Sequence, residues 1–122
     1  MNETKEARYD QAMLLRDAGK FAEALAEIEK LTADFPDYPL ARLALAVLYE
    51  KNNQTELAMQ AAKKACELDP ENPFYYTATS ALAIRSGRRQ EAEDALMKAQ
   101  EARFNAQLKK MREEDDSAAD AT

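Results

Sequence analysis

The feature that most constrains this fold is a 34-residue spacing between three residues that interrupt helices. The two glycines of the chain, Gly19 and Gly87, are 68 residues apart, and Asn53 lies halfway between them. Glycine and asparagine best tolerate the left-handed conformation that closes a helix C-terminus. Their recurrence at this period is typical of stacked helical repeats.

Other positions repeat at the same period and hold small or apolar residues. Three such columns are Ala12, Ala46 and Ser80; Ala24, Ala58 and Ala92; and Leu31, Ala65 and Ala99. Small side chains at matching positions let two helix backbones approach closely. Pro36 and Pro70 end a repeat, and Pro39 and Pro73 open the next one near a first helical turn, where proline is tolerated. In the third repeat, Phe104 replaces the closing proline.

Apolar residues at helical spacing predict two helices in each repeat, joined by a tight turn. The predicted helices lie near residues 3–18, 21–34, 38–51, 55–68, 72–86 and 89–102, with Asn72 as an N-cap. A chain with only two glycines and four prolines, one third of it charged, agrees with an all-α fold. A single hairpin cannot bury its apolar face alone, so we expect three hairpins, about 5–38, 39–72 and 73–106, to stack.

These columns resemble the tetratricopeptide repeat. The matching residues are Gly19, Phe21, Ala24, Leu31 and Pro36 in the first unit; Leu45, Ala46, Tyr49, Ala58, Ala65 and Pro70 in the second; and Tyr76, Gly87, Ala92 and Ala99 in the third. The resemblance covers about residues 5–106 and departs from the family at Arg89, where the family has an aromatic residue. It implies a right-handed α-solenoid whose first helices line a concave groove that binds a peptide or helix of another protein.

The family register assigns a largely apolar set of side chains to this groove. They are Tyr9, Met13, Leu40, Leu43, Val47, Phe74, Thr77, Ala81 and Ile84. Exposed apolar patches commonly mark interaction sites, and an amphipathic helix or an extended apolar peptide suits this one. The positions at which some family members clamp acidic C-terminal tails of chaperones hold no Lys, Asn or Arg here, so we do not expect that mode of binding.

The segment after the third hairpin is amphipathic. Phe104, Leu108 and Met111 form one helical stripe, which predicts a C-terminal helix over residues 105–114. In an unbent helix this stripe would lie roughly 150° from the Ala92–Ala95–Ala99 face. We expect it to cap the solenoid, with contact to a second copy and filling of the groove as alternatives. Residues 115–122 are small and acidic and predict a disordered tail, which leaves residues 1–114 as a single domain.

Composition argues against several classes of function. A net charge of −6 does not suit a general nucleic-acid binder, and no stretch is apolar enough for a membrane span. The absence of histidine removes the commonest general base and metal ligand, and the lone Cys66 cannot form an internal disulfide. We therefore expect no catalytic, cofactor or metal site, and a soluble cytoplasmic protein. The basic cluster Arg85, Arg88 and Arg89 is a candidate contact for an acidic partner.

Two hypotheses for function follow. The first is a non-enzymatic adaptor, scaffold or chaperone-like module that holds a segment of a partner protein in the groove. The alternative is a self-assembling protein that forms dimers or arrays through its repeat ends or its C-terminal helix. Residues 1–38 carry five basic and nine acidic side chains, whereas residues 73–106 carry five basic and four acidic ones. This asymmetry is compatible with a head-to-tail contact between the two ends, which salt screening would make weak.

Overall fold

The computed structural model describes residues 3–120, with only the backbone at Asp120. Across this range the chain forms helices and no strands, so the predicted all-α class is confirmed. The helices are α1 (Lys5–Asp17), α2 (Phe21–Asp34), α3 (Pro39–Lys51), α4 (Thr55–Leu68), α5 (Pro73–Arg85) and α6 (Arg89–Asp120). Apart from the end of α6, each boundary lies within two residues of its predicted position.

The turns inside the three hairpins share one geometry. Gly19, Asn53 and Gly87 all have a positive φ, of 79°, 59° and 71°. In each turn the next residue donates its backbone N–H to the carbonyl five positions earlier: Lys20 to Leu15 at 2.9 Å, Gln54 to Tyr49 at 2.9 Å and Arg88 to Ala83 at 2.8 Å. This is the Schellman arrangement, which satisfies the last carbonyls of the first helix. The predicted role of the three residues is therefore confirmed.

The first helices begin at the residues that the sequence singled out. Pro39 and Pro73 occupy the first turns of α3 and α5. The Asn72 side chain accepts a hydrogen bond from the Phe74 backbone N–H at 3.0 Å and caps α5. The missing N–H of proline costs nothing at this position, because the first helical N–H groups have no partner within the helix.

The small columns form the contacts inside the hairpins. All nine residues of the three repeating columns, which begin with Ala12, Ala24 and Leu31, are buried. Where Ser80 replaces the alanine of the first column, its hydroxyl donates to the backbone carbonyl of Ala92 on α6 at 3.0 Å. The buried hydroxyl therefore has a partner, as a polar group out of contact with water requires.

The helices divide into two compact units, although the sequence predicts one domain over residues 1–114. The first unit is Met1–Asp69, in which α1 packs on α2, α2 on α3 and α3 on α4. Its largest fully buried side chains are Ile28, Leu31, Leu48 and Met59. The second unit is Pro70–Thr122, in which α5 packs on α6.

The end of the chain departs from the prediction. No separate helix covers residues 105–114, because α6 runs without interruption from Arg89 to Asp120. Residues 115–120, expected to be disordered, belong to the same helix, while residues 121–122 lie outside the described range. The physical reason is the lack of a breaker, since Phe104 and Gln107 stand where the earlier repeats have Pro36 or Pro70 and Pro39 or Pro73.

Candidate functional site

In the first unit, the predicted groove residues lie on one face of α1 and one face of α3. Tyr9 and Met13 are one helical turn apart on α1, and Leu40, Leu43 and Val47 follow helical spacing on α3. All five side chains are half-buried. They are therefore packed on one side and open to solvent on the other.

Contacts to the end of α2 and to the loop before α3 hold the N-terminal half of α1 in place. Arg8 forms an ion pair with Asp34 at 2.8 Å. The Tyr9 and Tyr38 rings lie 6.2 Å apart between centroids, and the Lys5 ammonium lies 4.9 Å from the centre of the Tyr38 ring. Sequence reasoning missed Tyr38 as part of this face. Its position directly before Pro39, at the start of a first helix, was the available signal.

Burial within this face alters the electrostatics of Tyr9. Loss of solvent raises the pKa of the Tyr9 hydroxyl above its usual value of 10.0. The positive charge of Arg16 opposes this pKa shift, and the negative charge of Asp10 adds to it. Tyr9 is therefore neutral at physiological pH and can both donate and accept a hydrogen bond.

In the second unit, the candidate face lies on α5 and is more exposed. Phe74 is 53% exposed and Ile84 is 68% exposed, and Thr77 and Ala81 between them are also exposed. The opposite side of α5 is buried and consists of Tyr75, Thr79, Ser80, Leu82 and Ala83. An α-helix that is apolar around its whole circumference is normally covered on all sides, and this one is covered on one side within its unit.

A cation from α6 lies beside the α5 face. The Arg103 guanidinium donates a hydrogen bond to the Thr77 hydroxyl at 2.8 Å. Sequence reasoning assigned no role to Arg103, because the residue lies beyond the last predicted repeat helix. The extension of α6 brings it to the middle of the face, next to exposed apolar side chains.

The three arginines of the predicted basic cluster lie around the turn between α5 and α6. Arg88 pairs with Glu91 and Arg89 pairs with Glu93, each at 3.2 Å. Arg85 is exposed in the last turn of α5. A cleft of about 320 Å³ opens beside the turn. Its lining comprises Ser80, Ile84, Gly87, Arg89, Ala92, Glu93 and Leu96.

The C-terminal stripe lies on the part of α6 that extends beyond the predicted end of the third hairpin's second helix at residue 102. Phe104 is 61% exposed, Met111 is 52% exposed, and Leu108 is half-buried. Because α6 continues through this segment as one helix, the stripe is not folded back over the third hairpin as a cap.

Two further observations concern chemistry and membranes. Among residues 3–120, no three His, Cys, Asp or Glu side chains are grouped so that they could hold a metal ion, and the Cys66 side chain is 7% exposed. Over the same range, no helix combines the length and the apolar character needed to cross a membrane, and α6 is long but highly charged.

Comparison with solved structures places this fold among known proteins. MamA from Desulfovibrio magneticus RS-1 is 25% identical, with a TM-score of 0.74 over 82% of this chain and 56% of that one. The Yersinia enterocolitica type III secretion chaperone SycD, in complex with a peptide of the translocator YopD, is 22% identical, with a TM-score of 0.74 over 99% and 93% of the two chains. A chain of the CopN–Scc3 complex is 17% identical, with a TM-score of 0.72 over 80% and 58%. This chain spans 56–61% of the length of three MamA structures that it matches.

Comparison at the level of sequence assigns the family. No curated protein sequence matches the chain. The sequence profile of the family described as "Tetratricopeptide repeat" matches residues 9–73. This range is more than half of the chain and contains the whole middle hairpin. The chain therefore belongs to the tetratricopeptide repeat family.

Proposed function

We propose that this protein is an interaction module that binds an apolar or amphipathic segment of another protein on the exposed faces of its first helices. The observation that carries the proposal is the outer side of α5, where Phe74 and Ile84 are 53% and 68% exposed on an otherwise apolar helix. Full burial of such a side chain is worth about 1.5–3 kcal/mol relative to full exposure, and a partner that covers the exposed part of each would recover roughly half of this free energy.

The polar groups on the same faces define the chemistry of the partner. On the α5 face, the Arg103 guanidinium donates a hydrogen bond to the hydroxyl of Thr77, which lies between Phe74 and Ile84. A helical segment with apolar residues at every third or fourth position and an acidic side chain next to them fits this arrangement. The structure of SycD with a YopD peptide is a precedent for peptide binding on this fold.

Selection from a displayed library of random peptides tests the proposal and does not require the natural partner. We expect selected peptides to show apolar residues at helical spacing. Phe74→Glu should weaken the binding of peptides held on the α5 face by about tenfold or more, and Leu43→Glu that of peptides held on the α3 face, because a charged carboxylate would replace the apolar side chain that the peptide covers. Leu57→Glu is the matched control, since Leu57 is 40% exposed on the second helix of its hairpin.

The result against the proposal is equally definite. Peptides that bind Phe74→Glu and Leu43→Glu as tightly as the unmodified protein would place the binding surface elsewhere. Circular dichroism of each variant verifies that the helices are intact, which the exposure of Phe74 favours and the partial burial of Leu43 makes necessary to check.

A further inference from the structure

The two ends of the repeat array expose residues that are buried at equivalent positions inside it. Leu14, Leu48 and Leu82 occupy one column of the first helices, and their exposures are 69%, 1% and 3%. Ile28, Ala62 and Leu96 occupy one column of the second helices, and their exposures are 0%, 0% and 44%. Leu14 therefore marks an uncovered front on α1, and Leu96 marks an uncovered rear on α6.

The first unit contains the contact that is missing at these ends. There α3, the first helix of the second hairpin, packs against α2, the second helix of the first. Phe21 and Leu25 of α2 line one cleft together with Leu48 of α3, and the Lys51 ammonium lies 5.3 Å from the centre of the Phe21 ring. Glu29 of α2 faces Tyr49 of α3. This seam shows how the front of one hairpin of this chain fits the rear of another.

We propose that the rear of α6 in one copy binds the front of α1 in a second copy, in the geometry of the α2–α3 seam, so that copies associate head to tail. The 34-residue register identifies the residues that would meet. The position of Lys51 on α3 is held by Asp17 on α1, and the position of Phe21 on α2 is held by Arg89 on α6. A contact between a cation and an aromatic ring inside the chain thus becomes an ion pair between copies.

The remaining positions of the seam are compatible with this pairing. Tyr49 and Glu29 are replaced by Leu15 on α1 and Met97 on α6, an apolar pair of which Met97 is 59% exposed. Glu93 takes the position of Leu25, and its carboxylate already holds the Arg89 guanidinium at 3.2 Å. Asp17 likewise pairs with the neighbouring Arg16, at 3.0 Å. Arg89 is 92% exposed and Asp17 is 63% exposed, so both charged groups are accessible in addition to these pairs.

The charges outside the seam favour the same orientation. The outer side of α1 presents Glu6, Asp10 and Asp17, all exposed, around Leu14. The rear of the second unit carries Arg89 and Glu93, both of which line the same cleft as Leu96. An acidic front opposes contact with a second front, and Arg89 on the rear offers it a group of opposite charge. Because the contact joins two different surfaces, a dimer leaves one front and one rear open, to which further copies can bind.

Two end-blocked variants test this geometry by sedimentation velocity over a series of concentrations. Leu14→Glu blocks the front and Leu96→Glu blocks the rear, so each variant alone should be monomeric. An equimolar mixture should form a dimer with one copy of each and nothing larger, because it contains one intact front and one intact rear. The unmodified protein should form longer species as its concentration rises.

A charge exchange tests the proposed ion pair. Arg89→Asp alone and Asp17→Arg alone should each associate several-fold more weakly than the unmodified protein, since each places like charges together. Their mixture should recover association, because the carboxylate introduced at position 89 of one variant faces the guanidinium introduced at position 17 of the other. High salt should weaken the association of the unmodified protein.

Controls separate this interface from others. Leu57→Glu on α4 and Phe104→Glu on the C-terminal stripe should leave association unchanged. Three results would overturn the proposal: a strict monomer at the highest soluble concentration, no dimer in the mixture of end-blocked variants, or loss of association in Phe104→Glu. The proposal does not depend on peptide binding, since the end variants leave Leu43 and Phe74 intact.

Discussion

The three residues with positive φ are the positions where a single backbone angle determines the path of the chain. A non-glycine residue in the left-handed region costs about 1–2 kcal/mol, which asparagine partly avoids through local hydrogen bonds of its side chain. The middle hairpin shows that asparagine tolerates the left-handed conformation, since Asn53 adopts a φ of 59° where the other two hairpins have glycine. The repeat can therefore be found from the sequence, because only these residue types suit the turn.

Gly87 offers a clean measurement of this cost. A Cβ added at Gly87 meets no atom within 4 Å, so alanine would be strained by φ alone. We expect Gly87→Ala to lower the free energy of unfolding by about 1–2 kcal/mol and Gly87→Asn to lower it by less. Urea unfolding measures both, and Ser86→Ala is the neighbouring control in an ordinary conformation. Equal stability of the alanine and asparagine variants would contradict the explanation.

Tyr9 gives a pH dependence whose sign follows from its environment. Burial raises the pKa of Tyr9 in the native state above 10.0, with Arg16 opposing and Asp10 adding to the shift. The native protein then holds the phenolic proton more tightly than the unfolded chain does. This contribution to stability is complete below pH 10.0 and is lost as the pH rises through the native pKa. We expect Tyr9→Phe to reduce the alkaline loss of stability, measured by unfolding at a series of pH values. An identical pH profile for both proteins would contradict this.

At the scale of elements, helix boundaries were predictable wherever a residue stops a helix. Glycine or asparagine ends each first helix, and Pro36 and Pro70 follow the first two second helices. The end of α6 differs from the predicted cap, because the sequence has no helix breaker between Arg89 and Asp120. The charged positions Glu113, Glu114 and Asp116 correspond to Leu45, Ala46 and Leu48, so this segment cannot pack as a fourth first helix.

Gln107 occupies the column of Pro39 and Pro73 and tests this explanation. Proline inside a helix removes a hydrogen bond and clashes with the preceding turn, at a cost of about 3 kcal/mol or more. We expect Gln107→Pro to interrupt α6, which backbone chemical shifts of residues 103–119 would detect. Gln107→Ala should leave α6 intact. Unchanged shifts in the proline variant would show that something besides local sequence keeps this helix continuous.

The candidate site was only partly predictable, because exposure depends on what packs against an element. Leu14, Leu48 and Leu82 are the same residue at the same repeat position, and their exposures of 69%, 1% and 3% differ only through their neighbours. Arg103 contacts Thr77 on the α5 face because α6 continues beyond its predicted end at residue 102. Periodicity identifies the faces of a helix, but only the packed structure shows which face is covered.

At the scale of the whole molecule, the division into two units predicts separate opening. In repeat proteins, stability is approximately the sum of each repeat and its interfaces with its neighbours. Within residues 3–120, the first unit contains four helices packed in series, and the second contains the single α5–α6 hairpin. We expect the backbone amides of α5 and α6 to exchange with solvent through openings of lower free energy than those of α1–α4.

Leu48 and Leu82 provide a matched pair of probes for this behaviour, since both are buried at the same repeat position in different units. Truncation of a buried leucine to alanine costs about 2–5 kcal/mol. Leu82→Ala should lower the protection of α5 and α6 amides while those of α1–α4 keep theirs, and Leu48→Ala should act mainly on the first unit. Native-state hydrogen exchange measures both. If Leu82→Ala lowered the protection of the slowest amides of every helix by the same amount, the chain would open as one cooperative body. Each unit would then owe its stability to the whole array rather than to its own interfaces.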